Sequence, residues 1–149
     1  MNVSTFEGDA NVTFRSPSSF ERYSFESGLS SGWSASSFSA EEDAGEARDG
    51  SFVASSDTVG VGDSLAVLER NVSLSSSGTI RFDARVSSEK VGYFGGDPAR
   101  FFLDGSQEFE ISGDGSWESY AFDVSSGQHT LRFEYEKDGY GGDNEDRFY

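Results

Sequence analysis

The sequence predicts an all-β fold, a single antiparallel β-sandwich of jelly-roll type. Three observations carry this. Short runs of alternating apolar and polar residues recur along the chain, clusters of Gly, Asp and Ser separate them, and no segment shows a helical period. About nine or ten such runs at regular spacing fit a sandwich. The 149 residues are one domain's worth, and 14 Phe supply a core although only 34% of residues are apolar.

Residues 1–20 form a polar arm rich in Ser, Thr and Asn. Within it 11–15 alternates enough for a short strand, with Val12 and Phe14 on one face, until Pro17 interrupts. The sandwich is expected over 21–149. Its first run, 22–26, sets Tyr23 and Phe25 on one side. Runs 33–40 and 51–55 read as strands around an acidic stretch, 41–49, expected as loop or a short helical turn. Run 64–75 carries Leu65 and Val67, then Val72 and Leu74, and its change of phase near 68–71 predicts a bulge or break. Run 79–87 is cleaner: Ile80, Phe82, Ala84 and Val86 point one way, Arg81, Asp83 and Arg85 the other. Runs 99–103 and 108–112 flank Asp104-Gly105, a hairpin signal. Runs 117–124 and 129–136 flank a turn at 125–128, with Leu131, Phe133 and Tyr135 inward and Arg132, Glu134 and Glu136 outward. A last strand begins at 146–149.

The formal net charge is −16, from 27 acidic residues against nine Arg and only two Lys, Lys90 and Lys137. Such a surface repels itself in dilute salt and is tolerated where salt screens it, as on haloarchaeal proteins. No basic stripe exists to release counterions from a nucleic acid. With no Cys there is neither disulfide nor thiolate metal site. No apolar run approaches membrane-spanning length, which argues against membrane insertion. Residues 1–5 lack the basic start and apolar run of a signal peptide, so either a signal is missing from this chain or the protein is made and assembled inside the cell.

Alternating strand directions place 89–98, 113–116 and 138–145 at one end of the sandwich, and the same count adds 28–32 and 58–63. That end gathers Tyr93, Phe94, Trp117, Tyr140 and Trp33, with Asp97, Asp114, Asp138 and Asp143 nearby. Aromatic faces beside carboxylates suit a sugar's C–H surface and hydroxyls. Either Trp taken alone is more readily a core cap. The oxygen-rich stretch Asp138, Asp143, Asn144 and Asp146 is a candidate calcium site, which Glu26 could join from the first strand; the alternative is a solvated acidic loop. His129, the lone histidine, has no Gly-x-Ser-x-Gly elbow to partner it in a triad. Glu134 and Glu136 share an outward face as a glycosidase pair would, but Arg81, Arg85 and Arg132 explain them more simply as cross-strand ion pairs. Asn2, Asn11 and Asn71 begin glycosylation sequons.

The chain from Phe25 onward resembles a β-sandwich domain of bacterial and archaeal surface proteins and secreted hydrolases, similar to MAM and carbohydrate-binding jelly rolls, here in a haloarchaeal-type acidic version. The residues carrying the resemblance are Phe25-Glu26-Ser27-Gly28-Leu29, Gly32-Trp33, Val86-Ser87-Ser88-Glu89, Phe101-Phe102-Leu103-Asp104-Gly105, Trp117, and the run from Gly127 through His129 to Gly139. It implies an accessory module, and a structural Ca²⁺ near the termini. The pattern normally runs past the position of Tyr149, so the last strand is expected to be short or completed by another chain.

These readings lead to a non-enzymatic recognition or assembly module outside the cell. A surface-type module beginning at its own Met suits a virion component of a haloarchaeal virus: capsid decoration, turret or tail. Its partners would be other structural subunits, in an oligomer to which the arm contributes. The alternative is a carbohydrate-binding accessory domain of a larger secreted or cell-surface protein, with a cell-surface glycan as ligand. A glycoside hydrolase is the third class.

Overall fold

The computed structural model describes residues 25–149 apart from 30, 44, 46, 48–49, 58–63, 93–94 and 141–144. The expected strand at 11–15 and most of the run at 22–26 fall outside the described residues. The rest is an antiparallel β-sandwich of jelly-roll type, and its described residues include no helix.

Eleven strands are described: β1 (Trp33–Ser36), β2 (Phe38–Glu42), β3 (Phe52–Ser56), β4 (Ser64–Leu74), β5 (Gly78–Ala84), β6 (Val86–Ser87), β7 (Ala99–Leu103), β8 (Ser106–Ile111), β9 (Glu118–Val124), β10 (Gly127–Lys137) and β11 (Arg147–Phe148). One layer is a five-stranded sheet in the order β1-β4-β10-β7-β8. The opposing layer is built from the ribbons β2–β3, β5–β9 and β6–β11. Between them lies an aromatic core. Phe101 of β7 is fully buried, with its ring 4.7 Å from Phe82, 4.9 Å from Phe133 and 5.1 Å from Phe122. Alternation set this packing: Phe82 and Ala84 of β5, and Leu131, Phe133 and Tyr135 of β10, all point inward as expected.

Two expectations change, and the last strand is short, as one of its two alternatives had it. The run 33–40 is two strands, because Ser37 takes a positive φ of 56° and ends β1. The run 64–75 is unbroken, and β4 pairs with β10 without a shift from Ser64↔Lys137 to Leu74↔Gly127. Its inward residues are Ala66 and Leu68, while Leu65 and Val67 face away from the core. The apparent change of phase therefore reflects two apolar side chains on the outer face, not a bulge. The last strand, β11, is no uncovered edge. It pairs with β6 on one side and lies along β3 on the other, where the Phe148 amide donates to Ser56 Oγ at 3.0 Å.

The Asp104-Gly105 hairpin forms as its residues dictate, with φ of 53° and 82°. Asp104 also clamps the neighbouring turn. His129 is buried, its Nδ1 2.7 Å from Asp104 Oδ2 and its Nε2 2.9 Å from the Ser125 carbonyl. Both partners only accept, so the doubly protonated ring satisfies both, and no ring nitrogen is left to take a proton from a serine hydroxyl. The Asp104 bond and then the Ser125 bond raise the His129 pKa above 6.5. The His129 bond and the Thr130 amide hold the Asp104 carboxyl below 3.8. The stabilisation from the histidine is thus complete below its unfolded pKa and fades as pH rises through the higher folded value; the aspartate's share fades only as pH falls through its depressed one. An NMR titration is expected to place His129 above 6.5, and Asp104→Asn to return it toward that value. A wild-type pKa at or below the ordinary value would overturn the double-acceptor clamp.

Candidate functional site

The site is built where β10 ends. Inward alternation carries Lys137 to the last buried position of the strand, 4% exposed, and a buried ammonium needs an anion. Asp97, wholly buried in the segment between β6 and β7, supplies it. Lys137 Nζ donates to Asp97 Oδ2 at 2.9 Å and to the Tyr140 carbonyl at 3.3 Å, with Asp146 Oδ2 at 3.8 Å. Burial pulls the lysine pKa down, but the Asp97 bond and the charges of Asp97, Asp146 and Asp138 outweigh it and leave it raised. Asp97 Oδ1 also accepts the Asp138 amide at 2.9 Å. Asp138 in turn accepts the Tyr140 amide at 2.9 Å and the Gly96 amide at 3.0 Å, which hold its carboxyl below the usual range. This approach requires glycine: a Cβ on Gly95 would lie 2.2 Å from Asp138 Oδ2, and one on Gly96 would lie 2.5 Å from Val91 Cα. The loops after β6 and after β10 are thereby tied together, and they present the Tyr140 side chain to solvent, 72% exposed.

Beside this end, on the outer face of the five-stranded sheet, lies an open cleft of about 310 Å³. Ser64, Leu65, Arg100, Glu134, Glu136 and Lys137 line it. Arg100 donates to Glu110 at 2.7 Å and to Glu136 at 2.5 Å. Arg132 donates to Glu134 at 2.5 Å and to Glu69 at 3.2 Å. Arg100, Glu134 and Glu136 thus meet the cleft already ion-paired, beside the half-exposed Leu65. The arrangement can present oriented hydrogen-bonding groups and an apolar surface to a flat polyhydroxyl ligand. Among the sequons, Asn71 stands on this same face, its side chain accepting from Thr130 Oγ1 at 2.7 Å; Asn2 and Asn11 are outside the described residues.

Of the five aromatics expected together, Trp33 and Trp117 are placed elsewhere. Trp33 stands opposite Arg70, and Arg70 opposite Leu131, a level about 20 Å along the sheet from Lys137 at ~3.3 Å per residue. There its ring packs 5.8 Å from Phe25 and 6.3 Å from Phe133, below the Arg70 guanidinium. The segment 28–32 therefore enters from the opposite end. Trp117 belongs to the other layer, 6.3 Å from Tyr149, whose ring Arg85 covers at 5.3 Å. Tyr93 and Phe94 are outside the described residues; Gly92 and Gly95 on either side bridge to each other, and Gly96 meets Asp138. Leu65 and Arg100 were not singled out from the sequence, although the phase change in β4 pointed at Leu65.

The calcium set is not assembled by the described residues. Glu26 is engaged elsewhere, its Oε1 accepting the Ser51 and Phe52 amides at 2.9 Å each. Asp138 is bound to backbone amides, and the cation between Asp97 and Asp146 is the Lys137 ammonium. No group of three or more His, Asp or Glu among the described residues is disposed to hold a metal ion. Asp143 and Asn144 are outside them. Glu134 and Glu136 are in arginine ion pairs, but of the expected arginines only Arg132 takes part, on Glu134's own strand; Glu136 pairs with Arg100, and Arg85 pairs with Glu145.

Fold and cleft together define an all-β jelly-roll sandwich with a polar cleft on one sheet face. No protein-family model and no curated protein matches the sequence. Solved structures are similar in fold. A family 61 carbohydrate-binding module, determined in complex with β-1,4-galactotriose, superposes with a TM-score of 0.57 at 16% identity, over 85% of this chain and 93% of that one. A family 35 carbohydrate-binding module from Clostridium thermocellum gives a TM-score of 0.45 at 16% identity, over 78% of this chain and 91% of that one.

Proposed function

We propose that this domain is a non-catalytic glycan-binding module, working outside the cell or at its surface as an accessory to a larger protein. The observation that carries the reading is the cleft itself: Arg100, Glu134 and Glu136 oriented by ion pairs beside Leu65; the exposed Tyr140 follows the strand that supplies both glutamates. The jelly-roll fold, similar to that of a galactotriose-binding module, agrees with it. Of the readings drawn from the sequence, the fold supports this accessory domain rather than a capsid or tail component. Trp117 would serve only a ligand reaching the other layer. The acidic surface suits work in concentrated salt.

The test is affinity electrophoresis followed by calorimetry on a glycan panel that includes β-1,4-galactan. Tyr140→Ala and Arg100→Ala are each expected to weaken binding at least about tenfold, the size of an interface anchor's loss. Tyr140→Ala should leave the melting temperature unchanged, since its ring is solvent-exposed. Retention of no glycan, or Tyr140→Ala and Arg100→Ala both binding like wild type, would end the proposal.

A further inference from the structure

We propose that the cleft selects neutral glycans and rejects anionic ones, an inference that rests on the glycan-binding reading. The cleft is lined by one guanidinium and two carboxylates, Arg100 with Glu136 and Glu134; Arg100 also pairs with Glu110, and Glu134 with Arg132, which pairs in turn with Glu69. Both arginines are already committed to carboxylates of this chain. A uronate or sulfate entering the cleft must therefore displace a resident carboxylate from its guanidinium, or lie against carboxylates with no cation of its own. Lys137 offers no substitute, because its ammonium is buried and bound to Asp97. The carboxylate oxygens, by contrast, keep lone pairs that accept from neutral hydroxyl groups. A polyhydroxyl chain donates what the cleft accepts, and a polyanion brings more acceptors to an acceptor-rich surface. The net charge of −16 opposes polyanions at longer range in dilute salt.

Paired affinity gels test this, with neutral β-1,4-galactan and glucomannan in one set and polygalacturonate and alginate in the other. A chelator in all gels excludes bridging of two carboxylates by a divalent cation. The expected result is retention by a neutral polymer and none by the polyuronates. The double variant Glu134→Gln, Glu136→Gln is expected to lose neutral affinity and gain measurable retention by polygalacturonate, with an unchanged melting temperature showing that it folds. Polyuronates retained as strongly as the neutral polymers, or by themselves, would overturn the inference and leave the glycan-binding reading standing. A double variant that still rejects polygalacturonate would show that these carboxylates are not the filter, and the inference would fail. Retention by no polymer of either set would overturn the underlying reading as well.

Discussion

Asp97→Ala is expected to destabilise the domain by about 3–5 kcal/mol, the range for removing one partner of a buried ion pair. The cost arises from what the substitution strands. Lys137 stays buried with its ammonium, and the Asp138 amide loses its acceptor. At about 2–4 °C per kcal/mol for a domain of this size, the melting temperature should fall on the order of 10 °C. The effect is also local. Asp97 joins the loop after β6 to the loop after β10, so amide exchange should accelerate at Gly96, Asp138 and Tyr140 before the sheets open. Replacing both partners with apolar residues, Asp97→Leu with Lys137→Met, should recover part of the loss, because no charge is then left stranded. Chemical denaturation of the two variants beside wild type decides this. An Asp97→Ala domain as stable as wild type would mean that the pair contributes nothing and that the loops are held by other contacts.

Phe101→Ala is expected to cost about as much, 3–5 kcal/mol, for a different reason. The ring is wholly enclosed, with Phe82, Phe109, Phe122 and Phe133 around it at centroid distances from 4.7 to 5.8 Å. Its removal leaves a cavity between two sheets whose pairing limits collapse. Phe101→Leu should cost less than half as much, since it keeps most of the buried volume. Equal losses for the two variants would point to backbone rearrangement of β7 instead of a cavity.

Much of the fold was legible because alternation is a local property. The inward set of β10 and β5, the outward arginines and glutamates, and the Asp104-Gly105 turn could each be read from a few consecutive residues. What escaped was decided elsewhere. The break at Ser37 gives no turn signal, because its positive φ belongs to a serine. Missing it removed one strand from the up-and-down count, and that error alone moved Trp33 to the wrong end. Asp97 is one of 27 acidic residues, and its burial depends on Lys137, 40 positions further along. The cleft was half visible: Glu134 and Glu136 were seen as an outward pair, and Leu65 as a disturbance of phase. Their meeting with Arg100 required the order of strands in the sheet, which no local pattern encodes.

The unbroken ladder between β4 and β10 also governs how the chain reaches this state. Its partners are remote in sequence; Glu69 and Arg132, for example, are 63 positions apart. The central pairing of the sheet cannot form until the strands between them have been synthesised and gathered, and the loop-closure entropy must be met before the aromatic core rewards it. Folding of such a topology runs on the order of milliseconds to seconds. During that interval β4 carries Leu65 and Val67 on one side and Ala66 and Leu68 on the other, apolar on both faces and not yet paired. The excess of carboxylates keeps nascent chains apart through mutual repulsion while this strand waits for its partner.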